Sequence, residues 1–428
     1  MSTLANPMPD AGPIVLEKAE LKSWKAPIAL GIFALIAFIL FVGFGRDGSS
    51  TFRFAESTDV VQLPSLTLPT RATGIVIAIL LVLLTLVGVA LAQTRRTVQI
   101  WFVAIFALLF MVGLLTWASA GHTVPFTGLL IGAVSLSVPL IFGAMGGVIS
   151  ERVGVVNVAI EGQLLAGAFV SAMVGSMTRS PWAGIVAAMV AGVLVAFVLA
   201  AFSIKYFVDQ VIVGVVLNVL VSGLTSFLYS QLLTAHPAEL NAPPRFSPVD
   251  IPVLSEIPII GPVLFRQTVI VYLMYIAVAA VYFGLFHTRW GLRLRSVGEH
   301  PQAADTVGIN VTGTRFWNVS LAGAIVGAGG AYFTLGSVGS FSQDMTAGAG
   351  FIALAAVIFG RWDPIRATLA ALLFGFATNL QNVLGIIGSP VPSEFLLMLP
   401  YLVTIFAVAG LVGVVRGPAA SGKPYIKS

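Results

Sequence analysis

The chain has 428 residues, of which 58% are hydrophobic and only 9% charged, with a net charge of +5 and a mean hydropathy of +1.00. Soluble domains carry about 25% charged residues, so this composition excludes an ordinary soluble protein and predicts an all-α protein that crosses a membrane many times. Because the chain has no cysteine, it can form neither a disulfide framework nor a thiolate metal site.

Eleven apolar runs are long enough to span a bilayer, which takes about 20 mostly apolar residues. They lie near residues 26–44, 72–92, 98–118, 126–147, 156–176, 182–204, 210–233, 267–286, 316–338, 366–387 and 394–415. The first run follows a polar stretch without a small-residue cleavage site, so it is interpreted as a span and not as a signal peptide. A shorter run, 349–360, is about half a bilayer thick at 1.5 Å per residue and predicts a half-helix that enters from outside.

The distribution of basic residues orients these spans through the positive-inside rule. With the N-terminus in the cytoplasm, 16 of the 22 Lys and Arg residues fall inside and 6 outside. The half-helix must then cross, because otherwise either the GRWDPIR stretch (360–366) or the basic tail (416–428) would lie outside. We therefore expect a multi-pass membrane protein with both termini in the cytoplasm.

Residues 234–266 are rich in proline, with Pro243 and Pro244 adjacent. Proline lacks an N–H donor and interrupts helices, so this segment predicts an extracellular loop with short helices at most. It is either a docking surface for an external protein or a covering loop.

Asn157 and Glu161 are the strongest polar pair at membrane depth, within SERVGVVNVAIEGQLLAGAF (150–169). Ionisable side chains in hydrocarbon cost about 2.5–3.5 kcal/mol each on insertion scales. Four residues apart on a helix, the two would share one face. They either line a permeation path or hydrogen-bond neighbouring helices.

Five more polar residues are candidates for the substrate path. Asn218 lies in mid-span, and Asn379 and Asn382 are three apart on one helical face. Each is either a path residue or a hydrogen bond between helices. Gln343 and Asp344 open the half-helix, where Asp344 is either an ordinary N-terminal cap or part of the mouth of the path.

A polar segment, 288–315, separates two long apolar runs. Pro301 suits the first position of a short helix, and Gly308 suits its end. Arg293 and Arg295 would keep the segment on the inner face. We call 288–315 the coupling segment. By pattern alone, it is either an element that lies along the membrane surface or a binding site for a soluble partner.

The coupling segment resembles the coupling helix of permease subunits of ATP-binding-cassette (ABC) importers of the ribose, branched-chain amino acid and nucleoside group. The matching positions are Gly291, Arg295, Gly298, Pro301, Ala303, Ala304, Gly308 and Ile309. His300 replaces the usual Asn before the proline. The stretches 150–162, 209–228 and 348–364 also look like the nucleoside or simple-sugar branch, so the resemblance covers about 125–415.

The resemblance implies the ABC importer permease fold of the ribose/branched-chain type in a bacterial plasma membrane, with an N-terminal extension of three spans (1–120) and a permease core (121–415). It implies four kinds of neighbour: a second permease in a homo- or heterodimer, a cytoplasmic ABC ATPase, an extracellular lipid-anchored protein that delivers nucleoside, and membrane lipid, with no nucleic acid. The residues expected to couple the chain to the ATPase are Gly291, Arg295, Gly298, Glu299, Pro301, Ala304 and Gly308, of which Gly298, Glu299, Pro301 and Ala304 would contact it.

The sequence lacks a phosphate-binding loop, since the Gly422-Lys423 pair is followed by Pro424. We therefore expect a transport subunit and not an enzyme, with no cofactor of its own and with ATP used by the partner. The alternative is a proton-coupled secondary transporter of a small polar solute, with Glu161 or Asp344 as the proton relay. An intramembrane enzyme lacks supporting residues.

Overall fold

The computed structural model describes residues 24–56, 59, 61–94, 98–388, 391–392, 394–395, 398 and 417–427. Within them, ten helices are long and apolar enough to cross a membrane. Each coincides with a predicted run, which confirms the polytopic helical architecture. The eleventh predicted span, 394–415, lies outside the described residues apart from Glu394, Phe395 and Met398.

The chain divides into two compact units, the first made of residues 1–48 and 69–120. Its helices are α1 (Lys25–Phe38, continued by a π-helical turn Ile39–Gly43), α2 (Thr70–Gln93) and α3 (Ile100–Ala118). Phe41 is buried at their centre. One end is closed by Arg46, whose guanidinium donates to the carbonyl of Ala118 at 3.1 Å.

The second unit consists of residues 49–68 and 121–428. Its long helices and their π-helical extensions are α4 (Phe126–Arg152), α5 (Ile160–Thr178), α6 (Pro181–Ala200, then Ala201–Lys205), α7 (Gln210–Leu228, then Tyr229–Leu233), α9 (Val269–His287), α12 (Val311–Ala331, then Tyr332–Val338) and α14 (Pro364–Ile386). Its shorter helices are α8 (Pro237–Leu240), α10 (Arg289–Glu299), α11 (Pro301–Thr306) and α13 (Ala349–Phe359). The segment 49–68 thus belongs to the second unit, although the sequence-based division placed it in the extension.

In the part of the chain that the structure describes, five short strands lie outside the spans: β1 (Ser49–Arg53), β2 (Leu66–Pro69), β3 (Thr123–Pro125), β4 (Pro248–Asp250) and β5 (Arg266–Thr268). β1 lies between β2 and β3 in one sheet and runs parallel to β3. β4 pairs antiparallel with β5. The prediction of an all-α protein therefore holds for the spans, while the loops add small sheets. The proline-rich loop 234–266 contains α8 and β4, in line with the absence of a span there.

Side-chain caps fix where several helices begin. Asp209 accepts from the N–H groups of Val211 and Ile212 at the start of α7. Asp363 accepts from Arg366 at the start of α14, whose first residue is Pro364. A short polar side chain at the N-cap satisfies amides that the helix leaves unpaired, and proline is favoured at the next position. These caps place the ends of the spans at defined residues.

The core of the second unit forms where α4, α5, α6 and α12 pack together. Their contact surfaces are rich in glycine and alanine, including Gly167 on α5, Gly192 on α6 and Gly327 on α12. In a membrane, small residues let helix backbones approach closely and gain van der Waals contact. This packing holds rigid the helices that carry the polar residues described next.

Candidate functional site

The chain is not helical just before α5, where the sequence predicted a continuous span from about residue 156. Gly154 has a φ of +93°, a left-handed conformation that favours glycine, and α5 begins only at Ile160. Asn157 is fully buried in this break, and its amide nitrogen donates to Oε1 of Gln163 at 3.1 Å. The prediction that Asn157 and Glu161 share one helical face is therefore wrong.

Asn218 holds the break in place from the neighbouring helix α7. Its Oδ1 accepts from the N–H of Gly162 at 2.8 Å, and its Nδ2 donates to the carbonyl of Val158 at 2.9 Å. Gln210, which the sequence reading missed, accepts from the N–H of Val156 at 2.7 Å. Two amide side chains of α7 thus satisfy backbone groups freed by the break, as buried backbone requires.

Glu161 lies in the first turn of α5, and its carboxylate reaches the start of the half-helix α13. Oε1 accepts from the Thr346 hydroxyl at 2.6 Å and from the Gly348 N–H at 2.9 Å. Oε2 accepts from the Gly350 N–H at 2.6 Å. A carboxylate on free N–H groups at a helix N-terminus is favoured by charge-assisted hydrogen bonds and by the helix dipole. The acidic group that caps the half-helix is therefore Glu161.

Gln343 and Asp344 do not open the half-helix, because α13 begins at Ala349. They lie in the irregular segment before it, where both are exposed. Asp344 accepts from the Ser222 hydroxyl of α7 at 2.6 Å, and Gln343 donates to the Ser230 hydroxyl at 3.2 Å. Together with Glu161 and Asn218, they form a polar cluster between α5, α7 and α13. We call it the path cluster because the sequence analysis predicted these residues for the substrate path, a role that stays a prediction.

Asn379 and Asn382 lie apart from the path cluster, on α14. Asn379 is buried and donates to the carbonyl of Leu129 on α4 at 2.7 Å. Asn382 is exposed. In this chain Asn379 therefore forms a bond between helices, and the two amides do not work as a pair.

The end of α4 forms a second polar joint that sequence reasoning missed. Glu151 is buried, and its Oε2 accepts from the Trp362 indole N–H at 2.5 Å. Arg152 Nε donates to the carbonyl of Trp362 at 2.9 Å. Arg361 and Trp362 both have a φ of +54°, a left-handed conformation that costs energy in non-glycine residues and persists only when neighbours hold it. Both partners of these contacts lie in sequence motifs, SER (150–152) and GRWDP (360–364). Nothing in the sequence indicates that the two motifs contact each other.

The coupling segment folds as α10 and α11 and packs directly on this joint. A Cβ on Gly298 would lie 2.0 Å from the carbonyl oxygen of Arg152, so only glycine fits. The guanidinium of Arg295 lies 5.2 Å from the centre of the Phe286 ring. Pro301 is the first residue of α11, and Gly308, with a φ of +83°, follows its end, as the sequence predicted.

Burial divides the predicted coupling residues into two groups. Gly291, Gly298, Pro301 and Ala304 are buried within the chain, so they hold α10 and α11 in place. Direct contact of Gly298, Pro301 and Ala304 with a partner is incompatible with this burial. Glu299 is exposed and remains a candidate contact. Gly308 is also exposed, and so are His300, Gln302, Ala303, Thr306 and Val307 between Glu299 and Gly308.

Comparison with known proteins assigns the chain to a family. Residues 129–408 match the family of permease components of branched-chain amino acid transport systems. The chain belongs to this permease family. It is a membrane-embedded transport component of an ABC transporter and not an enzyme, and the family implies an ATPase partner and a substrate-binding protein.

Two relatives are similar over nearly their whole length. The chain is 41% identical to the guanosine ABC transporter permease protein NupQ of Bacillus subtilis, over 68% of this chain and 93% of that protein. It is 43% identical to the nucleoside ABC transporter permease protein NupC of Lactococcus lactis, over 68% and 94%. A more distant relative, at 26% identity over 64% and 74%, is the glucose ABC transporter permease protein TsgB13 of Haloferax volcanii. No solved structure matches the chain.

In this permease, the half-helix α13 is held at both ends. Glu161 binds its N-terminal end, while Glu151 and Arg152 bind Trp362 just beyond its C-terminal end. Gly298 of the coupling segment packs in turn against the backbone carbonyl of Arg152. A continuous series of contacts therefore runs from the coupling segment to the path cluster.

Proposed function

We propose that this permease carries nucleosides into the cell, powered by a separate ABC ATPase. The observation that supports this most is the identity of 41–43% with two nucleoside permeases over more than nine tenths of their length. The path cluster agrees in chemistry, since a nucleoside is neutral and rich in hydrogen-bonding groups. Exposed Gln343 and Asp344 offer a donor and an acceptor that suit such a solute.

The proposed arrangement places both termini and the coupling segment in the cytoplasm, as the positive-inside rule predicts from the basic residues. The chain would form one half of a membrane dimer with a second permease, identical or related. A lipid-anchored protein outside would deliver the nucleoside. The chain itself would bind no cofactor, and ATP would be used by the partner.

The proposed mechanism is alternating access. Closure of the ATPase would move α10 and α11, which rest on Arg152 through Gly298. Arg152 binds the loop after α13, so the movement would shift the half-helix relative to α5 and α7. Because Glu161 binds the other end of α13, the path cluster would change its shape with the same movement.

Uptake by proteoliposomes that contain the chain, its ATPase and its binding protein tests this proposal. We expect uptake of radiolabelled guanosine that needs ATP and that excess unlabelled nucleoside abolishes. Glucose is the second candidate substrate, because a glucose permease is among the relatives. Uptake of radiolabelled glucose, with no uptake of radiolabelled guanosine, would assign the chain to sugar transport.

The energy source separates an importer from a proton-coupled transporter. An ATPase variant that binds but does not hydrolyse ATP should abolish uptake, while a protonophore should leave uptake by energised proteoliposomes unchanged. Uptake that survives loss of ATP hydrolysis and collapses with the protonophore would contradict the proposal.

A further inference from the structure

Residues 417–427, which we call the tail segment, lie against the coupling segment although more than a hundred residues separate them in the chain. The N–H of Ala420 donates to the carbonyl of Gly298 at 2.9 Å. The N–H of Ala419 donates to Oε2 of Glu299 at 3.2 Å. Glu299, expected from the sequence to face the ATPase, is thus already bound to the tail segment.

A second set of contacts joins the tail segment to α11. Lys427 Nζ lies 3.6 Å from Oδ1 of Asp305. Partial burial of Tyr425, its hydrogen bond to Asp305 and the charge of that carboxylate raise the pKa of the Tyr425 phenol. Two tail residues therefore converge on one carboxylate of α11.

Arg315, at the start of α12, anchors the middle of the tail segment. It is 2% exposed, and its Nη1 donates to the carbonyl of Lys423 at 2.9 Å. Within the described residues, its Nε and Nη2 have no hydrogen-bond partner. A buried cation is costly without acceptors, so the Lys423 carbonyl is a contact that this guanidinium needs. The tail segment is consequently held along its length.

The exposed surface of this assembly carries two large aliphatic side chains and several basic ones. Val307, just after α11, is 76% exposed, and Ile426 in the tail segment is 70% exposed. Arg293, Lys423 and Lys427 are exposed nearby in the same two segments. Exposed aliphatic side chains within a charged rim are typical of protein interfaces.

We infer that the tail segment and the exposed face around α11 form one composite surface that docks the cytoplasmic ATPase. The inference rests on the proposed function for the presence of that partner, and it adds the tail segment to the docking site. The exposed basic residues call for acidic residues on the docking face of the ATPase, and Val307 and Ile426 call for apolar ones. Complementary charge of this kind favours the correct partner and orientation.

Single cysteines test the inference well, because the chain has none of its own. Val307→Cys and Ile426→Cys are introduced separately into the full chain in nanodiscs, and maleimide labelling is measured with and without the ATPase. The matched control is Val253→Cys, which is 75% exposed in the proline-rich loop. We expect labelling at 307 and 426 to slow at least tenfold on ATPase binding, with no change at 253.

Other outcomes overturn the inference in distinguishable ways. Protection at 307 but not at 426 removes the tail segment from the docking site and leaves the importer intact. Protection at 426 in nanodiscs with phosphatidylglycerol, but not with phosphatidylcholine alone, and without ATPase, means that the tail segment faces the membrane surface. Failure of the unmodified chain to bind the ATPase contradicts the proposed function itself.

A charge substitution gives an independent measure. Ile426→Glu places a carboxylate at an exposed apolar position of the proposed docking surface, so we expect the Kd for the ATPase to rise at least tenfold. Val253→Glu is the control and should leave the Kd unchanged. An unchanged Kd for Ile426→Glu would overturn the inference.

Discussion

Glu161 shows how one carboxylate is made tolerable at membrane depth. Its two oxygens accept from one hydroxyl and two backbone N–H groups, all from residues 346–350. These donors belong to the start of α13, where the helix dipole also favours negative charge. Of the alternatives left open by the sequence, the structure shows the hydrogen bonds between helices, and a role of Glu161 in the substrate path stays a prediction.

We predict that Glu161→Gln lowers transport without a large loss of expression. The amide keeps one acceptor oxygen but turns an NH₂ group toward backbone N–H donors, and an unmet buried hydrogen bond costs about 1–3 kcal/mol. Uptake should fall about tenfold or more, since 1.4 kcal/mol corresponds to a factor of ten. Uptake and membrane abundance are measured beside Glu256→Gln, an exposed residue of the proline-rich loop. Normal transport by the variant would give Glu161 a purely structural role.

The small size of Gly298 determines how closely the coupling segment packs against the end of α4. Gly298→Ala would bring a methyl group to 2.0 Å from the Arg152 carbonyl, a distance that forces the backbones apart. We predict that the variant loses ATPase association in a pull-down. The matched control is Gly223→Ala on α7, where a Cβ would meet nothing within 4 Å. Equal association of both variants would remove this contact from the coupling route.

At the scale of elements, α13 is a short helix tethered by side chains from α4 and α5. Its C-terminal tether passes through Trp362, which binds buried Glu151 by its indole and Arg152 by its carbonyl. The coupling segment lies on the same Arg152. A substitution in this tether should therefore uncouple ATP hydrolysis from transport. Its effect on the association of the permease with the ATPase should be smaller.

Trp362→Phe tests this tether. The ring remains, but Glu151 loses its donor, at a cost of about 1–3 kcal/mol for an unsatisfied buried acceptor. We expect normal ATPase association and hydrolysis, with several-fold less nucleoside moved per ATP. The comparison is Trp182→Phe, which is 56% exposed and should behave as the parent chain. A parallel loss of ATPase association would mean that the tether holds the coupling segment itself.

The elements themselves could be predicted from the sequence, because a bilayer demands long apolar helices. The ten described spans and the half-helix α13 follow the hydropathy closely. The break before α5 could not be located from the sequence, because Gly154 permits either close packing or a break, and Val155, Val156 and Val158 are as apolar as a span. The pairing of Glu161 with Gly348 depends on residues 187 apart, and local patterns carry no information about such contacts.

At the scale of the whole molecule, the two units differ in what they contribute. The family match begins at residue 129, and the path cluster, the coupling segment and the tail segment all lie in the second unit. That unit also includes residues 49–68, where β1 pairs with β3 and Asp59 forms a 3.2 Å ion pair with Arg266. A division at residue 120 would therefore cut off a piece of the second unit.

We predict that a chain beginning at residue 121 still binds the ATPase but is less stable than the full chain. Binding should persist because the contacts between the coupling and tail segments lie within residues 298–427. The melting temperature should fall by several degrees, because β3 loses β1 and Arg266 loses Asp59. Asp59→Asn in the full chain removes only the ion pair, which is partly buried, and should cause a smaller fall. If the shortened chain folds but does not bind the ATPase, residues within 1–120 take part in docking after all.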